Sequence, residues 1–216
     1  MRPRDPLFFQ RGSFLYDTPR FYVFSGVKHL LQNIGACQIC KANLPHGCRP
    51  VIQVSAKSKI VIIGQAPGRK VHESGIPWDD KSGDNLRKWL GVSKEQFYNP
   101  DLFALIPMGF CYPGKGKSGD LPPRPECAPE WHQKLWAEMN EVQLTLLVGQ
   151  YAQNHYLGGK IKSTLTETVQ HFQEYLPEFM PLPHPSPRNN IWMKRNEWFR
   201  IDALSYLEKL ISKLPL

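Results

Sequence analysis

The chain has no apolar run approaching the ~20 residues that a membrane-spanning helix needs, so no membrane partner is expected. It shows no apolar leader with a small-residue cleavage site at its start. No internal repeat or low-complexity tract is visible, which sets aside repeat architectures. Acid is in deficit: 19 Asp and Glu stand against 27 Lys and Arg, a formal net charge of +8 over 216 residues. That excess points to a polyanionic partner, nucleic acid first, or more plainly to a basic but inert surface. Cysteine is scarce and odd in number, at five. Without a secretory signal, this predicts a reducing, cytoplasmic setting and ligation of a metal or cluster rather than disulfides.

What remains is enough apolar residue, 41% of the chain, for one domain with a full core. Residues 59–90 organise it. Ile60 to Ile63 is a short apolar run ending in Gly64-Gln65-Ala66-Pro67-Gly68, the pattern of a buried parallel strand that stops at a tight turn. A second turn, Gly75-Ile76-Pro77-Trp78-Asp79-Asp80, precedes Ser82-Gly83-Asp84, where a helix opens with Leu86, Trp89 and Leu90 on one face. Further strands are predicted at Leu102–Met108, Val142–Val148 and Phe179–Leu182. Helices are predicted at Val27–Ala36, near Lys94–Tyr98, and at Pro129–Met139, Gln150–Leu157, Thr164–Tyr175 and Asn196–Leu214. Strands alternating with helices imply a three-layer α/β/α fold around a central, mainly parallel four-stranded sheet. Such folds place ligands at the strands' C-terminal ends.

Residues 1–26 form an aromatic and basic arm before a single domain at 27–216. Phe8, Phe9, Phe14, Tyr16, Phe21, Tyr22 and Phe24 predict an arm packed on that domain. Arg2, Arg4, Arg11 and Arg20 leave a nucleic-acid contact as the alternative. Cys37-Gln38-Ile39-Cys40 is a turn able to offer two thiolates to one centre. Gly109 to Asp120 is rich in glycine and lysine, with Lys115 and Lys117 suited to a phosphate backbone or to a plain surface loop. Pro183-His184-Pro185-Ser186-Pro187-Arg188-Asn189-Asn190 is a stiff, pre-shaped loop.

Together these motifs resemble the uracil-DNA glycosylase superfamily over residues 27 to 212. GQAPG at 64–68 resembles the first active-site motif, GEAPG in the iron–sulfur family and GLAPG-like in a related one. GIPWDDKSGDNL at 75–86 resembles their next segment, and PHPSPRNN at 183–190 the histidine-proline motif of the closing loop. The resemblance implies excision of a flipped-out deaminated base (uracil, or hypoxanthine or xanthine) from DNA, leaving an abasic site without strand cleavage. It implies that Trp78 stacks the base and that His184 donates to its carbonyl, with backbone amides near Gln65 and Ala66 lending further donors. Gly68, Lys115, Lys117, Ser186, Arg188 and Asn189 fall to the DNA strand. Cys37, Cys40, Cys111 and Cys127 match the four ligands of a [4Fe–4S] cluster, with zinc as the alternative and an unliganded pocket as a third. Cys48 has no counterpart. A monomer is expected.

The sequence also departs from that pattern. Gln65 stands where the iron–sulfur family has glutamate, and Ala66 where the best-known uracil enzymes have aspartate. The related family with alanine at that place uses an aspartate of the segment that 75–86 resembles, and the resemblance implies that Asp80, with Asp79 next in line, is the carboxylate serving the water. Asp80 reads equally as a helix-start carboxylate. Pro107 replaces an asparagine that reads the base edge, which opens the choice of base. A non-catalytic binder of damaged or single-stranded DNA, or a generic metal-binding α/β protein, are the rival readings.

Overall fold

A computed structural model describes residues 26–214; the arm's aromatics and Arg2, Arg4, Arg11 and Arg20 lie outside the described residues. Among the described residues six strands occur in chain order: β1 (Ile60–Gly64), β2 (Phe103–Pro107), β3 (Lys115–Gly116), β4 (Gly119–Asp120), β5 (Leu144–Val148) and β6 (Phe179–Leu182). Four of them form one sheet in the order β2-β1-β5-β6, every pair parallel. The helices are α1 (Gly26–Gly35), α2 (Arg69–Ser74), α3 (Lys81–Leu90), α4 (Lys94–Phe97), α5 (Cys127–Glu138), α6 (Gln150–Leu157), α7 (Leu165–Gln170), α8 (Asn190–Arg195) and α9 (Ser205–Ile211).

The period-2 geometry of β1 decides the layering. Val61 and Ile63 point into one core, with Ala104, Ile106 and Leu147, and meet α1, α5 and α6. Ile60 and Ile62 point into the other, with Leu105, Leu146 and Met180, and meet α3 and α9. Ile60, Val61, Ile62 and Ile63 are all fully buried, each contributing about 1.5–3 kcal/mol by leaving water. A strand buried on both faces must be a continuous apolar run, which is why this sheet was legible as parallel. The free edge of β2 is covered by the 51–54 segment. Gln53 and Leu105 exchange backbone bonds of 3.1 and 2.7 Å, and the Gln53 side chain donates to the Phe103 carbonyl at 2.9 Å.

The differences from the expected elements have local causes. Helix α3 begins after Asp80, whose extended backbone and side chain cap it, and not at Ser82. The segment 164–175 opens on a Thr164/Glu167 capping box but splits into α7 and a 3₁₀ turn, Phe172–Tyr175. The helix expected at Asn196–Leu214 breaks into a π turn at Phe199–Leu204 and α9, and α8, just before it, was not anticipated. Helix α2 and the β3–β4 hairpin were not anticipated. Each is too short to carry a hydrophobic period.

Candidate active site

The loops after β1, β2 and β6 open at one edge of the sheet. Two backbone bonds clamp the first pair: Met108 N–H to Gly64 O at 2.9 Å and Gly109 N–H to Gln65 O at 3.0 Å. Gln65 and Ala66 are therefore fixed at the mouth, half-buried, with no carboxylate between them. Gly68 follows at the start of α2, close enough to Asp120 Oδ2 that a Cβ there would touch it at 3.4 Å.

Trp78 forms the floor. A Cβ on Gly64 would stand 2.9 Å from Trp78 Cζ2, so the indole lies directly on the end of β1 and glycine is what admits it. A Cβ on Gly83 would stand 1.8 Å from the Trp78 carbonyl oxygen, so the first turn of α3 presses on the same residue. Trp78 itself has φ +58°, a left-handed conformation costing roughly 1–2 kcal/mol for a residue with a Cβ. Its ring is half-buried against the α3 core.

The wall opposite is His184. Its ring centroid lies 5.8 Å from that of Trp78, tilted by 33°. The loop that carries it is held at two points: Asn189 Nδ2 donates to the His184 carbonyl at 2.7 Å, and Asn85 Nδ2, from α3, donates to the Pro185 carbonyl at 3.0 Å. Neither ring nitrogen has a hydrogen-bond partner among the described residues. Burial lowers the pKa of the imidazole, and the nearby Asp80 carboxylate opposes that only in part, so the ring is neutral at pH 7. Ser186 caps the turn that follows by accepting from Arg188 N–H at 3.3 Å. Arg188 is exposed and reaches the hairpin, with Nη1 3.3 Å from where a Gly119 Cβ would lie. Lys115 and Lys117, also exposed, stand on that hairpin. The expected glycine-lysine loop is thus a short antiparallel ribbon, Lys115 opposite Asp120, and it forms one rim with the histidine loop.

The two candidate carboxylates part company. Asp80 Oδ1 accepts from Gly83 N–H at 2.9 Å, and the carboxylate acts on His184. Asp79 instead lines a separate groove with Leu31, Ile52, Ile76, Pro77 and Tyr98. Asn85 was missed by the sequence reading. Its signal was an amide in the first turn of a helix otherwise read for its apolar face.

All five cysteines are free thiols, with Cys40, Cys111 and Cys127 buried and Cys37 and Cys48 half-buried. Burial pushes Cys111 up to about 12 and Cys127 up to about 11. These two thiols are therefore protonated at neutral pH. Among the described residues, no group of three or more His, Cys, Asp or Glu side chains is spaced to clasp a single metal ion. The donor set is sulfur only, the kind a thiolate-bound group takes, but the described residues do not gather it into a ligating group.

The family model described as Uracil DNA glycosylase superfamily matches residues 51–208, which takes in all six strands and the loops at their ends. The chain belongs to that superfamily, and is a DNA glycosylase: a hydrolase of base excision repair. Among the described residues, no helix is long and apolar enough to cross a membrane.

Proposed function

We propose that this superfamily member hydrolyses the N-glycosidic bond of a deaminated base flipped out of DNA, acting as a monofunctional glycosylase that leaves an abasic site. The observation that carries the reading is the His184–Trp78 pair: a neutral imidazole with unengaged nitrogens, on a doubly anchored loop, facing an aromatic ring at the end of β1. Glycosidic cleavage passes through an oxocarbenium-like sugar while negative charge grows on the departing base. The Trp78 face stacks the extruded base, worth about 1–3 kcal/mol. His184 N–H meets a base carbonyl as the charge develops there, a preorganised donor of a kind worth about 3–4 kcal/mol of barrier.

Asp80 takes the sugar side. One oxygen is fixed by Gly83 N–H, which leaves the other to orient a water and to stabilise the cation. Asp79 is the weaker candidate, since it faces the groove. Gly68, Ser186, Asn189, Arg188, Lys115 and Lys117 hold the strand along the rim. At Pro107 there is neither a side-chain donor nor a backbone N–H, and its carbonyl already accepts from His132 Nε2 at 3.1 Å. The base edge there meets apolar surface, which supports a site tolerant of uracil, hypoxanthine and xanthine.

Cys37, Cys40, Cys111 and Cys127 would hold a [4Fe–4S] cluster, whose part is structural: it would tie the end of α1 to the loop after β2. A tetrahedral zinc ion, with Zn–S of about 2.3 Å, is the alternative ligand of the same thiols, and metal analysis separates the two.

The test is base excision on duplex and single-stranded oligonucleotides carrying uracil, hypoxanthine or xanthine, with and without alkali. Excision that needs alkali to break the strand, lost in Asp80→Asn while DNA binding persists, supports the reading. DNA binding without excision of any base would replace it with the damage-binder reading, which Gln65 and Ala66 favour by supplying no carboxylate in the first motif.

A further inference from the structure

Three rings that the glycosylase chemistry does not use gather beside the rim. Tyr112 is 2% exposed. His46 stacks on it, with ring centroids 5.1 Å apart and planes 25° from parallel. His72, on α2, leans against both, 5.8 Å from Tyr112 and 6.1 Å from His46. His46 is exposed, so the stack has a buried base and an open top.

The stack adjoins the mouth of the cleft. Tyr112 Oη donates to Asp120 Oδ1 at 3.4 Å, and the other oxygen of that carboxylate is the one beside Gly68. His72 stands one turn into the helix that Gly68 opens. Pro45, next to His46, packs at the start of the hairpin, where a Cβ on Gly114 would stand 2.9 Å from Pro45 Cγ. The rings thus join the hairpin, the helix after the first motif and residues 44–48. Two exposed guanidinium groups lie beside them, Arg49 acting on His72 and Arg69 on Tyr112. Arg69 also pairs with Glu73 at 2.8 Å, and Arg49 donates to the Glu73 carbonyl at 3.0 Å.

His72 contributes a face to this stack rather than a hydrogen bond. Its Nδ1 is the one buried side-chain nitrogen or oxygen without a partner among the described residues, an arrangement that costs stability. Burial lowers its pKa, helped by Arg49 and His46 against a smaller pull from Glu73, so the ring is neutral at pH 7.

We propose that the open face of His46, backed by Tyr112 and His72, is a stacking platform for an unpaired nucleobase flanking the excision site. Arg49 and Arg69 take the phosphates of that nucleotide. The proposal rests on the reading that the rim holds the DNA strand. An aromatic face recognises the face of a base, and a base offers its face only when it is out of the duplex. The platform therefore favours single-stranded DNA, or duplex melted beside the lesion, and does so whatever the flanking base is.

The experiment is fluorescence titration of the full chain with single-stranded and duplex oligonucleotides. Each carries an abasic-site analogue that cannot turn over, with 2-aminopurine placed in turn at the flanking positions. Wild type is compared with His46→Ala, His46→Trp and Lys115→Ala. A stacked 2-aminopurine loses emission, so wild type should quench one flanking position of the single strand. His46→Ala should abolish that quenching and weaken single-strand binding by about tenfold, while duplex binding stays within about twofold. His46→Trp restores a ring and should keep both the quenching and the affinity. Lys115→Ala should weaken both substrates and flatten the salt dependence. Equal losses on both substrates in His46→Ala overturn the platform, because a displaced hairpin would produce them. Quenching that survives in His46→Ala, or that wild type never shows, overturns it as well. A wild type that binds neither oligonucleotide refutes the rim reading on which the platform rests.

Discussion

Two histidines, one behind β2 and one at the end of β6, occupy environments that differ in one respect. His132, on α5, is 3% exposed and has a partner on each ring nitrogen. Nε2 donates to the Pro107 carbonyl at 3.1 Å, and Nδ1 accepts from Tyr156 Oη at 2.6 Å, which in turn accepts from Trp136 Nε1 at 3.0 Å. Every donor in that chain has an acceptor, so the network fixes β2 on α5 and α6 and has nothing left to offer a ligand. His184 is also largely out of water but spends no ring nitrogen on the protein. A buried histidine with both nitrogens engaged is part of the scaffold. One with both nitrogens unengaged at a cleft is available for chemistry.

The sharpest way to break that contrast is to truncate each ring. His184→Ala should lower kcat for base excision by about 10²–10³-fold while leaving the melting temperature close to wild type. His132→Ala should do the reverse. It leaves Tyr156 Oη without its acceptor and the Pro107 carbonyl without its donor, at a cost of about 2–4 kcal/mol in stability, with kcat per folded molecule nearly unchanged. Kinetics and denaturant unfolding on the same two preparations check both, and an unfolding loss for His184→Ala equal to that of His132→Ala would erase the distinction.

Acid should expose the same difference more gently. Burial lowers His132 to about 4, with a further push from His155, partly offset by the Pro107 bond. A histidine whose folded pKa lies below its unfolded value of ~6.5 binds fewer protons when folded, so its contribution is whole above about pH 6.5 and is lost as pH falls toward 4. The span is worth up to about 3 kcal/mol. Unfolding free energy measured from pH 7 to 4 should therefore fall more steeply in wild type than in His132→Gln, which keeps a donor and an acceptor but does not titrate there. The smallest effect belongs to the cleft floor. Trp78→Ala should raise KM by an amount equivalent to about 1–3 kcal/mol, with kcat changing less.

Much of this was legible in the chain itself, for physical reasons. Ile60–Ile63 and Leu144–Val148 declare themselves because a strand covered on both faces can carry nothing polar. The glycine, tryptophan and histidine-proline motifs were readable because each needs unusual backbone or a stiff loop. What stayed hidden was whatever depends on three-dimensional proximity. Asp79 and Asp80 are neighbours in sequence, yet the extended backbone of Asp80, φ −152° and ψ −179°, sends them to different surfaces. Cys48 lacks a spacing motif but sits with Cys40 and Cys111. His132 gave no signal beyond being polar on an otherwise apolar helix face.

The contact among Gly64, Trp78 and Gly83 carries a consequence for descent. The indole occupies the volume that a side chain at 64 would need, and its backbone occupies the volume that a side chain at 83 would need. Position 64 is not free to drift while the indole is in place, and position 83 is held by the backbone of residue 78 whatever its side chain. Any lineage that loses the tryptophan is released at 64, and a larger residue at 64 requires the ring to move or go first. The order of substitutions in homologues is thereby constrained, and reconstructed ancestors should show 78 changing before 64 and never after it.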